Sequence, residues 1–194
     1  MNSHSAIAFL GAQFGDEGKG KVVDYYAGRA EVVVRFQGGT NAGHTIYNEK
    51  GKIVLHLLPV GVLHPGITSV IGPGCVIDLM ALTQEVQNLK KLGYNLDGGM
   101  DLLISGRATI VFPEYMIEDT EVEINTANRL GTTRRGVGPA YEARAARTAI
   151  QFSEILNPDK LIALYQEAFN ITNSWMTGDP EVPVIERELR EACA

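Results

Sequence analysis

A chain of 194 residues, 45% hydrophobic and 21% charged, can bury a core and has the composition of a globular protein rather than a disordered or fibrous one. A formal net charge of −6 argues against general nucleic-acid binding, and no apolar run approaches the roughly 18 residues that suggest a membrane span. Two cysteines, Cys75 and Cys193, make neither a disulfide framework nor a metal spacing, and Met1–Ser5 lacks the basic start of a leader, so a cytoplasmic protein with reduced thiols is expected.

The chain opens with a short apolar run, Ala6-Ile-Ala-Phe-Leu10, which predicts a buried strand over 6–11. Gly11-Ala-Gln-Phe-Gly-Asp-Glu-Gly-Lys-Gly-Lys21 follows, and Val22-Val-Asp-Tyr-Tyr26 continues a helix predicted over about 18–28. A strand, a glycine-rich turn and a helix N-terminus together make an anion site, because glycines let the backbone approach phosphate oxygens and the first helical N–H groups point at them. Gly15-x4-Gly20-Lys21 has the spacing of a phosphate-binding loop, yet Val22 stands where that loop carries Ser or Thr for magnesium. Asp16, inside the loop, is the replacement ligand, and Lys19 and Lys21 add positive charge. Taken alone, such a stretch also fits a plain turn with solvated lysines.

Glu31-Val-Val-Val-Arg-Phe36 predicts a second strand, parallel to the first in a β-loop-α-β unit. It runs into Gln37-Gly-Gly-Thr-Asn-Ala-Gly-His-Thr45, a glycine-rich loop at a strand's C-terminal end, where open α/β sheets bind ligands. His44 lies in this loop, and its place beside the phosphate loop favours a functional role over a structural one. Residues 46–55 read as a hairpin turning at Asn48–Gly51, and Leu57–Leu63 and Thr68–Gly72 as further strands. His56 and His64, among apolar residues, are expected to be structural. Asp78 is placed to cap a helix with Leu79, Leu82, Val86 and Leu89 on its core face, ending near Gly93. Asp101–Ile104 predicts a short strand, and Tyr115–Asn128 a polar, partly exposed helix.

Arginines then crowd together: Arg129, Arg134, Arg135, Arg144 and Arg147. Arg129-Leu-Gly-Thr-Thr-Arg-Arg-Gly-Val-Gly-Pro-Ala-Tyr141 reads as a mobile loop that closes on a phosphate, with Thr hydroxyls and bidentate arginine forks as donors. Glu142–Thr148 is helix-like, and the segment alone also fits a solvated basic helix end. Asn157-Pro158 starts a helix carrying Leu161, Leu164, Tyr165 and Ala168 on one side. Thr172–Pro183 reads as a loop and Glu186–Ala194 as part of an amphipathic helix.

The loops holding Gly15–Lys21, Gln37–Thr45 and Gly131–Tyr141, in this order, together resemble the adenylosuccinate synthetase family, GTP-dependent ligases that join IMP to L-aspartate. Leu55–Leu63 and Ile71-Gly-Pro-Gly74 fit the same family. The resemblance implies a two-step reaction: the 6-oxygen of IMP attacks the γ-phosphate of GTP, and the aspartate amine then displaces phosphate from 6-phosphoryl-IMP. It implies Asp16 as the base that takes the N1 proton of IMP, His44 as the acid at the departing phosphoryl oxygens, and Lys19 as the group that steadies the transferring phosphoryl. Mg2+ is implied, held by Asp16 and the Gly43 carbonyl. GTP phosphates would lie on Gly15, Asp16, Glu17, Gly18, Lys19, Gly20 and Lys21 with Gly43, His44 and Thr45. IMP would meet residues 16–19 (Asp16, Glu17, Gly18 and Lys19), residues 41–44 (Asn41, Ala42, Gly43 and His44) and Thr133. Arg147 would reach the IMP of a neighbouring subunit, which implies a homodimer.

Two positions depart from the family pattern: Arg134 stands where Gly is usual, and Phe14 where Trp is usual. Family members are also much longer, and their remaining half carries guanine recognition, the aspartate-binding loop and further IMP contacts, so the chain reads as an N-terminal portion. The expectation is one α/β domain over 1–194, a central and largely parallel sheet flanked by helices, with its phosphate site at the strand C-termini. Against the ligase stands a catalytically silent nucleotide-binding module. A regulatory P-loop GTPase fits poorly because Val22 lacks the hydroxyl, and a Rossmann dehydrogenase because G-x-G-x-x-G is absent from the first turn.

Overall fold

The computed structural model describes residues 5–13, 15, 17–94, 102–125, 131–169 and 187–191. Asp16, Phe14, Arg129, Cys193 and the predicted loop at 172–183 lie outside the described residues.

Helix α1 spans Lys19–Ala27, and strand β1 spans Val32–Gly38. A hairpin of β2 (His44–Asn48) and β3 (Gly51–Leu55) follows, antiparallel, with Asn48 opposite Gly51 at the turn as the sequence predicts. The longest strand, β4 (Thr68–Asp78), leads into helix α2 (Leu79–Lys91). Asp78 caps that helix by accepting the Ala81 N–H at 3.0 Å, which satisfies one of its orphan donors. Strands β5 (Leu102–Ile104) and β6 (Thr109–Val111) precede helices α3 (Pro113–Asn125), α4 (Val137–Ala146) and α5 (Pro158–Ala168). Pro158 at the start of α5 and the Asn157 cap on the Lys160 N–H make that start as the sequence predicts.

β4 is the centre of the sheet. It pairs in parallel with β1 on one side, with β5 through Ser69–Ile71 and with β6 through Val76–Asp78. Midway along β4 comes Gly72-Pro-Gly74. Pro73 has no N–H to give the ladder, and the register against β1 shifts between Arg35 and Gln37. A Cβ at Gly74 would stand 2.2 Å from the Phe36 carbonyl oxygen, so only glycine lets the two strands approach this closely. Leu55, Leu57, Leu58, Ile71, Ile77, Ile110 and Phe112 are fully buried in the core, and β6 and the C-terminal part of β4 are buried at consecutive positions, so the sheet is covered on both faces there.

Three predicted elements take other forms. Residues 6–11 are not a strand, and Ile7 and Leu10 are 66% and 73% exposed. An apolar run signals a preference for burial, but a strand also needs a partner edge for its backbone, and this run pairs with none of the described strands. The predicted β-loop-α-β unit therefore lacks its first strand, and the parallel pairs are those made by β4. Val60–Leu63, predicted as a strand, is a single 3-10 turn after Pro59. It is fully buried, and periodicity cannot separate a short buried helical turn from a strand. Residues 137–141, predicted as loop, form the first turn of α4, with Pro139 in that turn, where proline is tolerated.

Candidate functional site

The two glycine loops meet. Gly15, Glu17–Lys21 and Asn41–Thr45 line one polar cleft of about 500 Å3. One wall is the N-terminus of α1. Gly18 precedes it in the left-handed conformation at φ 77° and, as glycine, has no side chain with which to cap the helix. The Glu17 carboxylate lies over the same loop. It accepts the Gln13 N–H at 3.1 Å and the Gly15 N–H at 3.4 Å and forms an ion pair with Lys19. The Lys19 ammonium and these amides hold its carboxyl far below the usual range, at about 2.

The other wall is Asn41–Thr45, which runs into β2. His44 is the first residue of β2, paired with Leu55, rather than a loop residue as predicted. Its ring is half-buried, its Nδ1 has no hydrogen-bond partner among the described residues, and burial lowers its pKa, helped by the positive charges of Arg35 and Lys19 and by His56. Burial thus favours the neutral imidazole of His44, and Arg35 and Lys19 favour it further.

Side chains that the sequence reading did not single out hold these walls in place. Arg35, 9% exposed, donates to the Gly39 carbonyl at 2.7 Å and also to the His56 carbonyl. Glu85 accepts the N–H groups of His56 and Leu57, both at 2.9 Å, and of Leu58 at 3.3 Å. Tyr141 receives the Gly38 N–H at 2.9 Å and donates to the Gly74 carbonyl at 2.8 Å, which joins α4 to the β1–β4 seam. A signal for Arg35 and Glu85 was present. Arg35 shares strand parity with Val33, so it points to the core face, and Glu85 lies three residues after Leu82 and four before Leu89 on α2.

The predicted phosphate strap at 131–136 is tied to α3. Glu123 accepts the Gly131 N–H at 2.9 Å and Asp119 the Gly136 N–H at 3.0 Å, one turn apart on the helix face that also buries Tyr115. Thr133 in this strap and Arg147 at the C-cap of α4 are both exposed, and neither lines the cleft. His64, expected to be structural, has its ring 2.8 Å from the Asp24 carboxylate.

A mainly parallel sheet with flanking helices, and glycine loops gathered around a polar cleft beside a helix N-terminus, define an α/β protein of the phosphate-handling kind. The comparisons with known proteins narrow this class: residues 8–193 match the adenylosuccinate synthetase family profile, and the chain belongs to that family. It is 44% identical over 194 residues to the adenylosuccinate synthetase of Chlorobium chlorochromatii, covering 98% of this chain and 44% of that protein. Against the Myxococcus xanthus enzyme it is 49% identical over 156 residues, 80% of this chain and 36% of that one. Among solved structures, fully ligated adenylosuccinate synthetase from Plasmodium falciparum matches with a TM-score of 0.80 at 33% identity, over 94% of this chain and 43% of that one. Cyanophage S-2L succinoaminodeoxyadenylate synthetase, bound to dGMP and to dATP as an energy donor, matches with a TM-score of 0.55 at 30% identity, over 70% and 36%. The chain spans less than half the length of these relatives.

Proposed function

We propose that this chain carries the phosphate- and purine-binding loops of a GTP-dependent ligase that joins IMP to L-aspartate through 6-phosphoryl-IMP. The observation that carries the reading is the cleft, where both glycine loops converge with His44 in a chain of this family. Residues 15–21 and 43–45 take the GTP phosphates, and residues 16–19 and 41–44 with Thr133 take IMP. Asp16 removes the N1 proton of IMP, which makes the 6-oxygen a nucleophile toward the γ-phosphorus as GDP departs. His44, its neutral form favoured before ligand binds, gains its proton's stabilisation from the incoming phosphate charge and then donates to the phosphoryl oxygens. Lys19 exchanges Glu17 for the transferring group. The aspartate amine then attacks carbon 6 and phosphate leaves. Arg147, exposed at the end of α4, serves the IMP of a second subunit in a cytoplasmic homodimer.

Among the described residues no three His, Cys, Asp or Glu side chains gather into a cage for a metal. The residues lining the cleft include Glu17, Asn41 and Thr45, whose side chains carry oxygen donors, and oxygen donors suit Mg2+, which takes one or two protein oxygens and completes its shell from phosphates and water. Asp16 and the Gly43 carbonyl would hold it. When bound it supplies neutralisation of charge on the transferring phosphoryl group.

Phosphate release from GTP with Mg2+, IMP and L-aspartate, each omitted in turn and run beside Asp16→Asn, tests the reading. Release that needs all three substrates and vanishes in the variant supports the ligase. Release with dGMP in place of IMP would move the substrate toward that of the cyanophage relative. Nucleotide binding by calorimetry without release supports the second reading, a silent nucleotide-binding module. Absence of both turnover and binding overturns both readings.

A further inference from the structure

The segment between β1 and β2 has no regular secondary structure, yet two of its carbonyls are held by side chains from outside it. Arg35 donates to the Gly39 oxygen at 2.7 Å. His56 lies 2.7 Å from the Ala42 oxygen through Nδ1, and a carbonyl only accepts, so Nδ1 is the protonated nitrogen. The ring also flanks the next residue: a Cβ built at Gly43 would stand 3.7 Å from His56 Cε1.

These two clamps share one anchor. The Arg35 guanidinium also donates to the His56 carbonyl, and the Glu85 carboxylate accepts the His56 N–H at 2.9 Å. Residue 56 thus sits between a buried cation and a buried carboxylate through its own peptide groups, which satisfies both charges and fixes the backbone from which the imidazole projects.

Fixing Ala42 has a directional consequence. A trans peptide points its C=O and its N–H to opposite sides, and no cis bond occurs among the described residues. With the Ala42 carbonyl drawn to His56, the N–H of Gly43 faces away from His56, in a residue that lines the cleft. We propose that Arg35 and His56 are positioning residues that clamp the Gly39 and Ala42 carbonyls and so present the Gly43 amide to an anion in the cleft. The proposal rests on the phosphate-binding reading above and adds the residues that pre-organise it. It also gives His56 a task that a residue with an exposed side chain would not need for folding.

His56 makes the cleaner test, because Arg35→Gln removes a buried cation opposite Glu85 and can fail to fold. His56→Leu removes the donor. His56→Asn keeps one, since its side-chain nitrogen stands near the place of Nδ1. Two readouts are taken: amide 1H–15N spectra of the ligand-free protein, and calorimetric affinity for GTP with Mg2+. In His56→Leu the amides of residues 42–45 shift or broaden, Tm stays within a few degrees, and affinity falls about tenfold, the worth of one lost hydrogen bond. His56→Asn restores both. Unchanged loop amides in His56→Leu, or failure of His56→Asn to restore them, overturns the proposal. If the wild-type protein binds no GTP, the phosphate-binding reading falls, and the ligand-free spectra still decide whether His56 orders the loop.

Discussion

A Cβ on Gly20 would stand 2.8 Å from the Cβ of His44 and 2.9 Å from its Cγ, closer than real side chains come. The first turn of α1 and the first residue of β2 therefore touch only because position 20 is glycine. His44 cannot retreat easily, since its backbone is paired with Leu55. Gly20→Ala is expected to cost about 1–3 kcal/mol from overpacking and to displace the imidazole from the cleft wall. Urea unfolding and the His44 ring resonances check this, and a ring left in place at unchanged stability contradicts it.

Burial first, and then the positive neighbours, lower the pKa of His44. The unfolded chain binds the proton more readily, so stability attributable to this group is full above the ordinary histidine pKa near 6.5. It is lost as pH falls below that value toward the lowered one. Unfolding measured from pH 7.5 down to 5 should show this slope, and His44→Asn should flatten it. Adding GTP with Mg2+ should raise the His44 titration midpoint, because phosphate charge favours the imidazolium.

Glu17 titrates the other way. Its carboxyl is held at about 2 by the Lys19 ammonium and by loop amides that include those of Gln13 and Gly15. A depressed acid supports the folded loop above the ordinary carboxylate pKa and loses that support only as pH falls toward 2. Carboxyl 13C shifts should place its midpoint well under those of the other glutamates, and a midpoint near 4.5 would contradict the pairing. Because this carboxylate occupies donors that an anion would use, Glu17→Gln should bind inorganic pyrophosphate more tightly than wild type.

Arg134 has φ 55°, in the left-handed region that L side chains pay to enter. This accounts physically for glycine being usual there in the family pattern. Arg134→Gly relieves the backbone but frees the unfolded chain, so the net change is expected between neutral and about 1 kcal/mol stabilising. Arg134→Val, β-branched, should destabilise. Urea midpoints of the two variants decide it, and a destabilised glycine variant would show that the Arg134 side chain makes a compensating contact.

Much of this protein was legible before any coordinates, because the signals were local. The Asn48–Gly51 turn, the Asp78 and Asn157 caps and α1 behind its glycines follow from turn chemistry, capping and periodicity within short windows. The three glycine-rich motifs were enough to indicate the family. Tertiary structure decided what depends on residues distant in sequence. It left Ala6–Leu10 without a strand partner, since pairing needs a second edge and not only an apolar run. It turned Val60–Leu63 into a buried 3-10 turn and started α4 at Val137. Above all, it brought Arg35, His56 and Glu85 together from β1, the segment after β3 and α2. Buried charges require partners, and the chain can supply them from any distance, so nothing in a short window tells which partners those are.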